Sequence, residues 1–284
     1  MTAVVHSTLP DPLTAVVDEV LSAAGIEHRA HGARGPMRAA GTAAGDGNAI
    51  ALIGPFRSAD VAEVVEATAP AGLPLLAPVA TWAGVTRDDE PGCDDATDHR
   101  GTVLRMVARD TEVAARIAAD VRAAGRRALV VAGAHEYGVQ LDGQLRLAGL
   151  PRASGPEEAD LVVLCGLAGE PEIGRAAGLA PLPVVAFDGV QGAGLGPGRE
   201  VSLALPVAPA EGVRPGEGLF FLEPTQRAAS LVVDAVREGA TDRAALLAAM
   251  RAAGPFDAHG DPVDPPVWLW RADAEWRLTP DRAL

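Results

Sequence analysis

Short apolar runs alternate with amphipathic helical patterns along most of this 284-residue chain. Continuous apolar runs are typical of strands buried on both faces, whereas apolar residues three and four positions apart mark one face of a helix. The pattern predicts strands at 2–7, 49–55, 73–80, 127–133, 159–166 and 182–187. Strands and helices in alternation indicate parallel sheets with helices on both faces.

The helical patterns carry recognisable end signals. Ser58 and Thr111 stand where N-caps are expected, and Gly125 stands where a helix-terminating glycine is expected. We predict helices at 11–24, 58–72, 110–125, 139–148, 171–178, 224–240 and 241–254. The last two follow one another without a strand, and a β-hairpin over 266–280 comes after them, with its turn at Ala272-Asp273-Ala274.

Charge and composition exclude several classes of function. Every one of the 24 basic residues is arginine, against 38 carboxylates, and the formal net charge of −14 disfavours nucleic-acid partners and anionic membranes. No apolar run reaches the roughly 18 residues of a transmembrane helix. The first residues, MTAVVHSTLPDPL, lack the features of a secretion signal, which predicts a cytoplasmic protein.

The cysteines and histidines indicate no metal site. Cys93 and Cys165 lack metal-ligand spacing, we expect no disulfide between them, and Cys165 is predicted to be a small buried apolar residue. The histidines at 6, 28, 31, 99 and 259 are interpreted as scattered. Two glycine-rich stretches, 41–50 and 189–198, do not fit a nucleotide-binding loop. The sequence therefore predicts no metal and no cofactor.

Ligands of parallel α/β sheets bind at the carboxyl ends of the strands. The segments that follow the predicted strands are 54–58, 79–82, 135–137, 166–168 and 188–189. Among them is Tyr137, the single tyrosine of the chain. These segments are where we expect a binding site.

Four stretches resemble one known family. They are ALIGPFRSADVAEVVEATAPAGLPLLAPVATWAGVT, VLRMVARDTEVAARIAADV, RALVVAGAHEYGVQL and GPFDAHGDPVDPPVWLWRADAEW, which together span roughly residues 49 to 278. In order and spacing they resemble the leucine/isoleucine/valine substrate-binding proteins of ABC transporters, which have the type I periplasmic binding fold. The resemblance implies two lobes, each a mostly parallel sheet with helices on both faces, and a ligand in the cleft between them.

The resemblance also implies lobe boundaries and residue roles. Lobe 1 would comprise 1–106 and 207–264 and bind the ligand carboxylate; lobe 2 would comprise 107–206 and 265–284 and bind its ammonium. The positions implied for the carboxylate are Ser58, Ala80 and Thr81, with Trp82 beside them; those implied for the ammonium are Tyr137 and Asp188.

Elementary chemistry agrees with these roles. A helix N-terminus and a hydroxyl group suit a carboxylate, whereas an aspartate beside an aromatic ring suits a cation. The predicted function is thus non-catalytic binding of a small amino-acid-like zwitterion, with the lobes closing on it like a hinge.

Simpler interpretations stay open for each residue. Ser58 could be an ordinary helix cap, Tyr137 a core residue and Asp188 a solvated turn residue. The acid-rich stretch 86–100 is interpreted as a solvated loop.

The chain also departs from the family. Its first ligand loop is not recognisable in AVVHSTLPDPL, and Leu167-Ala168 replaces an aromatic position. Two further hypotheses therefore remain: a cytosolic regulatory or interaction protein whose cleft is vestigial, or an enzyme using Tyr137, His135 or Asp188 for acid–base chemistry.

Overall fold

The computed structural model describes residues 3–32, 35–87, 99–179, 181–190, 193, 200–209, 221–273 and 275–284. Its strands are β1 Val4–Ser7, β2 Glu27–Ala30, β3 Ala49–Ile53, β4 Leu75–Ala77, β5 Val103–Arg105, β6 Ala128–Ala132, β7 Leu161–Cys165, β8 Val184–Ala186, β9 Val201–Leu205, β10 Trp268–Ala272 and β11 Leu278–Ala283. Its α-helices are α1 Asp11–Ala23, α2 Pro36–Gly45, α3 Ser58–Thr68, α4 Asp110–Ala123, α5 Glu136–Leu147, α6 Pro171–Arg175, α7 Leu222–Arg237 and α8 Arg243–Ala253.

These elements form two compact units. Unit 1 comprises Met1–Ala108 and Leu219–Pro265, and unit 2 comprises Arg109–Gly218 and Pro266–Leu284. These units have boundaries at 108/109, 218/219 and 265/266. The sequence-based prediction placed the boundaries at 106/107, 206/207 and 264/265, so the second one differs by 12 residues.

Unit 1 is built on a five-stranded sheet of order β2-β1-β3-β4-β5, in which every pairing is parallel. All residues of β1, β3, β4 and β5 are buried, which requires cover on both faces of the sheet. The predicted face of α3 is confirmed, since Val61, Val64 and Val65 are buried in one core cluster with Leu52 and Leu75.

Unit 2 is built on a six-stranded sheet of order β11-β10-β9-β8-β7-β6. The pairings from β6 to β9 are parallel, and β10 and β11 extend the sheet as an antiparallel hairpin. The hairpin was predicted, but β10 continues through Ala272 and the connection spans 273–277, where the Asp273 carboxylate accepts hydrogen bonds from the backbone of Glu275 and Arg277. Ala274 lies outside the described residues.

Two predicted helix caps are wrong. The residue before α3 is Arg57, so Ser58 is the first helical residue and its hydroxyl does not cap the helix. Likewise α4 begins at Asp110, and its N-terminus is closed by a hydrogen bond from the Arg109 amide to Glu112, with Thr111 inside the first turn. The predicted helix-terminating position of Gly125 is confirmed, since this residue follows the C-cap of α4 directly and has a φ of 63°.

Three of the histidines interpreted as scattered, His6, His28 and His31, lie together in unit 1. The Nδ1 atom of buried His6 lies 2.8 Å from Nε2 of His31, and the two rings stack with their centroids 5.0 Å apart. His6 also lies 3.5 Å from Asp46, which pairs with Arg29. No group of three or more His, Cys, Asp or Glu within the described ranges has an arrangement that could hold a metal ion. Hydrogen bonds and ion pairs connect the members of this cluster.

The described helices include none that combines the length and the apolar character needed to cross a membrane.

The histidine cluster predicts how stability depends on pH. Burial and the charge of His31 lower the pKa of His6, and burial and the charge of His28 lower the pKa of His31. The unfolded chain therefore binds more protons than the folded chain once the pH falls below about 6.5, and stability must decrease with acidification through that range. Urea unfolding at about pH 7.5 and about pH 5.5 measures this slope.

Replacing His31 by Gln should flatten that slope, because it removes one titrating group and relieves His6 of a neighbouring charge. A variant with the same slope as the wild type would assign the pH dependence to other groups. The pKa of the Asp46 carboxyl is also lowered, so its contribution to stability is lost only at a more acidic pH than the range compared in this experiment.

Candidate functional site

In unit 1 the predicted carboxylate-binding residues are brought together by two neighbouring strands. Ser58 follows β3 and the segment 79–83 follows β4, and these strands are adjacent and parallel. The Ser58 Oγ atom accepts hydrogen bonds from the amides of Thr81 at 3.1 Å and Trp82 at 3.2 Å. Ser58 and Trp82 are half-buried, whereas Ala80 and Thr81 are buried.

This arrangement makes Ser58 a donor. A hydroxyl oxygen has two acceptor sites, and both are used by the two amides, so its own proton points away from them. The amides also polarise the hydroxyl and so strengthen it as a donor toward an anion. The Thr81 amide thus orients Ser58.

Two residues next to Ser58 went unnoticed in the sequence. Phe56 is 38% exposed and packs edge-on against Phe221, with the ring centroids 6.0 Å apart. Arg57 is exposed and pairs with Asp60 in the first turn of α3. An exposed aromatic ring near a hydroxyl donor in the chain is compatible with an anion that carries an apolar group. Phe56 lies in the segment 54–58, where a site was expected, but it has no polar group that would have marked it.

In unit 2 the predicted ammonium-binding residues are in direct contact. Tyr137 lies in the first turn of α5, after β6, and Asp188 begins a 3-10 helix after β8. The Tyr137 hydroxyl donates to Asp188 Oδ1 at 2.7 Å, and the Gly189 amide donates to the same oxygen at 2.9 Å. Both side chains are half-buried.

Two glycines allow this contact. A Cβ atom at Gly189 would lie 2.9 Å from the Tyr137 ring and 2.6 Å from the Gly166 carbonyl oxygen. A Cβ atom at Gly138 would lie 2.8 Å from the Cys165 carbonyl oxygen. Larger residues would push α5 away from the strand ends and separate Tyr137 from Asp188.

The Asp188 carboxylate has no cationic partner in the part of the chain that the structure describes. Its hydrogen bonds come from Tyr137 and from backbone amides, and burial raises its pKa. Burial also raises the pKa of Tyr137 far above its usual range, and the charges of Asp110 and Asp188 add to the effect. A partly desolvated carboxylate without a counter-ion favours the approach of a cation.

Glu170 is a further polar residue at these strand ends that the sequence did not reveal. Its Oε1 atom accepts from the His135 amide at 2.7 Å, and its Oε2 atom accepts from the Leu167 amide at 2.6 Å. It thus joins the loops that follow β6 and β7. No sequence motif indicates whether a glutamate in such a loop bridges two backbone segments or is only solvated.

The other strand-end residues have structural surroundings. His135 is the N-cap of α5, and its Nδ1 atom accepts from the Tyr137 amide at 3.2 Å. Leu167 is 37% exposed. Cys165 is fully buried, as predicted, and burial raises the pKa of its thiol.

One polar array in unit 1 has the connectivity of a hydrolytic triad. The Ser7 hydroxyl lies 2.9 Å from His28 Nε2, and His28 Nδ1 lies 3.1 Å from Asp18. Ser7 is 0% exposed within β1, so a substrate carbonyl cannot reach its hydroxyl. The array is a hydrogen-bond network that runs from the buried Ser7 to the exposed Asp18.

The stretch 86–100 was predicted to be a solvated loop, but its first two residues are not fully exposed to solvent. Thr86 is buried, and both Thr86 and Arg87 bind the Asp261 carboxylate. The stretch 88–98, with Cys93, lies outside the described residues.

No protein-family model and no curated protein matches the sequence. Solved structures do share the fold over nearly the whole chain. An ABC transporter substrate-binding protein from Desulfitobacterium hafniense in complex with Leu is 17% identical, with a TM-score of 0.74 and coverage of 98% of this chain and 99% of that one.

A branched-chain amino acid transporter substrate-binding protein from Streptococcus pneumoniae in complex with isoleucine is 15% identical, with a TM-score of 0.72 and coverage of 99% and 100%. An ABC transporter solute-binding protein from R. palustris in complex with benzoate is 15% identical, with a TM-score of 0.72 and coverage of 100% and 96%. The predicted two-lobed type I periplasmic binding protein fold is confirmed.

The single tyrosine provides a direct test of the unit 2 geometry. Because burial and nearby carboxylates raise the pKa of Tyr137, its phenolate should appear in the ultraviolet spectrum only well above pH 10 while the chain remains folded. The urea-unfolded chain should titrate near the usual value of about 10.

Asp188→Asn should move the folded titration to lower pH, because it removes a neighbouring negative charge. Far-ultraviolet circular dichroism confirms folding at each pH. A wild-type protein that titrates like the unfolded chain would contradict the contact between Tyr137 and Asp188.

Proposed function

We propose that this protein binds a small amino-acid-like zwitterion without altering it chemically. The carboxylate is bound in unit 1 by the Ser58 hydroxyl, in the setting formed by Ala80, Thr81 and Trp82. The ammonium is bound in unit 2 by Asp188 and the ring of Tyr137. Closure of the two units on the ligand follows from the division of its two charges between them.

One observation carries this proposal: the half-buried Asp188 carboxylate has partners for hydrogen bonding but no described counter-ion. A ligand ammonium would supply the missing positive charge and would hold the carboxylate in its ionised form. The neighbouring Tyr137 hydroxyl and Gly189 amide fix the orientation of Asp188 in advance, which lowers the entropic cost of binding.

The anion half has matching chemistry. The hydroxyl proton of Ser58 is directed away from two amide donors, and the exposed Phe56 stands two residues before it in the chain. These features favour a carboxylate with an apolar substituent. The structural neighbours that bind Leu, isoleucine and benzoate support the same ligand class, since all three are small carboxylates with apolar groups.

A regulatory role with a vestigial cleft is the second candidate. It is favoured by the direct passage from β1 to α1 through Thr8, Leu9 and Pro10, which leaves no room for an extended first ligand loop. Binding of an amino acid distinguishes the two candidate functions, because a vestigial cleft binds none. The cytoplasmic location stays a prediction, and so does the absence of catalysis.

A thermal-shift screen of the free amino acids and of small aromatic carboxylates tests the proposal. A ligand present at about 100 times its dissociation constant adds about 2.7 kcal/mol to the unfolding free energy. For units of this size that raises the melting temperature by about 5–10 °C. A screen in which no compound raises it would contradict the proposed function.

The ligand found in that screen then tests Asp188. Asp188→Asn should weaken binding by about 30-fold or more, because the ammonium loses its counter-charge. Asp142→Asn is the matched control: Asp142 is another partly buried carboxylate of unit 2, paired with Arg146 and Arg152. Equal affinity in the Asp188 variant and the control would remove Asp188 from the site.

A further inference from the structure

Arg105 is the largest side chain of the described residues that is fully buried. It ends β5, and its guanidinium group is 0% exposed in the interior of unit 1. A buried guanidinium is costly unless its donors and its charge are satisfied. The partners of this group therefore show which part of the fold depends on it.

The partners are concentrated in the segment that follows β4. Arg105 donates to the carbonyl oxygen of Ala80, to that of Trp82 at 2.9 Å and to the Thr86 hydroxyl at 2.8 Å. The amides of the same segment, at Thr81 and Trp82, donate to Ser58. The segment is thus held through its carbonyls by Arg105 and through its amides by Ser58.

Arg105 is itself oriented by Asp261. The Asp261 carboxylate accepts from Arg105 Nε at 2.9 Å, from Thr86 and from Arg87. Burial opposes its charge, but Arg105 and these hydrogen bonds lower the pKa of Asp261 to about 2, so the pair is ionised at neutral pH. The Arg105 amide also donates to the Gly260 carbonyl at 2.9 Å.

The turn that carries Asp261 fits closely against β5. Gly260 has a φ of 91°, and a Cβ atom there would lie 2.1 Å from the Val103 carbonyl oxygen. The Asp257 carboxylate accepts from the amides of His259 and Asp261, which fixes the turn. Asp261 therefore reaches Arg105 from a defined backbone position.

The charges of this network balance. Arg105 and Arg87 face Asp261 and Asp257, so two positive charges meet two negative charges. Arg105 is linked to Ser58 by hydrogen bonds through the backbone of the segment 80–82.

We propose that Arg105 is a positioning residue for the carboxylate site: through the carbonyls of Ala80 and Trp82 it sets the direction of the Thr81 and Trp82 amides, and these orient the Ser58 hydroxyl. The inference rests on the proposed function for its effect on ligand affinity. The ordering of the two amides is independent of any ligand.

Arg105→Lys tests the inference, with Arg243→Lys as its matched control. Lysine keeps the charge for Asp261 but lacks the planar fork that reaches two carbonyls and a hydroxyl together. Arg243 also donates to several carbonyls of unit 1, including Ala49 at 2.8 Å and Ala71 at 2.9 Å, but it does not contact the segment 80–83. Both variants should lose stability.

Hydrogen exchange of the Thr81 and Trp82 amides gives the readout that needs no ligand. Relative to global unfolding of the same variant, exchange of both amides should accelerate about tenfold or more in Arg105→Lys and should not change in Arg243→Lys. Unchanged protection in a folded Arg105→Lys variant would overturn the inference, as would equal acceleration in both variants.

Calorimetry with the amino acid that stabilises the wild type gives the second readout. The dissociation constant should rise about tenfold or more in Arg105→Lys and less than about twofold in Arg243→Lys. A wild type that binds no amino acid contradicts the proposed function alone, since the exchange result still decides the role of Arg105. Wild-type affinity in Arg105→Lys contradicts the inference alone.

A gentler pair of variants serves if Arg105→Lys does not fold. Thr86→Val removes the hydroxyl that links Arg105 to Asp261, and Thr86→Ser retains it. The valine variant should show faster exchange of the Trp82 amide and weaker ligand binding, and the serine variant should restore both. Equal behaviour of the two would overturn the inference.

Discussion

A parallel strand that ends at the edge of its sheet leaves backbone amides and carbonyls without the partners that the sheet supplied. Those groups need other hydrogen-bond partners, which side chains or water can supply. In unit 1, Ser58 accepts from backbone amides of the segment after β4, and Arg105 donates to its carbonyls. In unit 2, Glu170 accepts from backbone amides of the loops after β6 and β7. The candidate site is built on this local requirement. Ser58 and Asp188 are the residues whose bonding still favours a partner from outside.

The candidate residues of the two units have opposite chemistry. Unit 1 presents the Ser58 hydroxyl, with the exposed Phe56 two residues before it in the chain. Unit 2 presents the Asp188 carboxylate, which is already oriented by Tyr137. Under the proposed function, the anion of the ligand pairs with the first and its cation with the second.

Much of the fold could be predicted from the sequence because buried parallel strands are continuous apolar runs. The exceptions have physical reasons. Strand β2, Glu27–Ala30, lies at an exposed edge and so lacks an apolar run, and β5 has only three residues, one of them the buried Arg105. Helix α2 was missed because its alanines and glycines resemble a loop.

The candidate site was predictable in part. Each of the four residues follows a strand, and the parallel order of the strands brings Ser58 near Thr81 in unit 1 and Tyr137 near Asp188 in unit 2. Arg105 and Asp261 could not be paired in this way, because 156 positions separate them. Chain order does not indicate which distant carboxylate reaches a buried arginine.

The central claim is that one ligand is held by both of its charges. Calorimetric titration with a single amino acid, its N-acetyl derivative and its carboxamide measures this directly. We expect the free amino acid to bind and each blocked form to bind at least about 30-fold more weakly, because each lacks one charge. An N-acetyl derivative that binds as tightly as the free amino acid would contradict the account, since Asp188 would then have no ligand charge to meet.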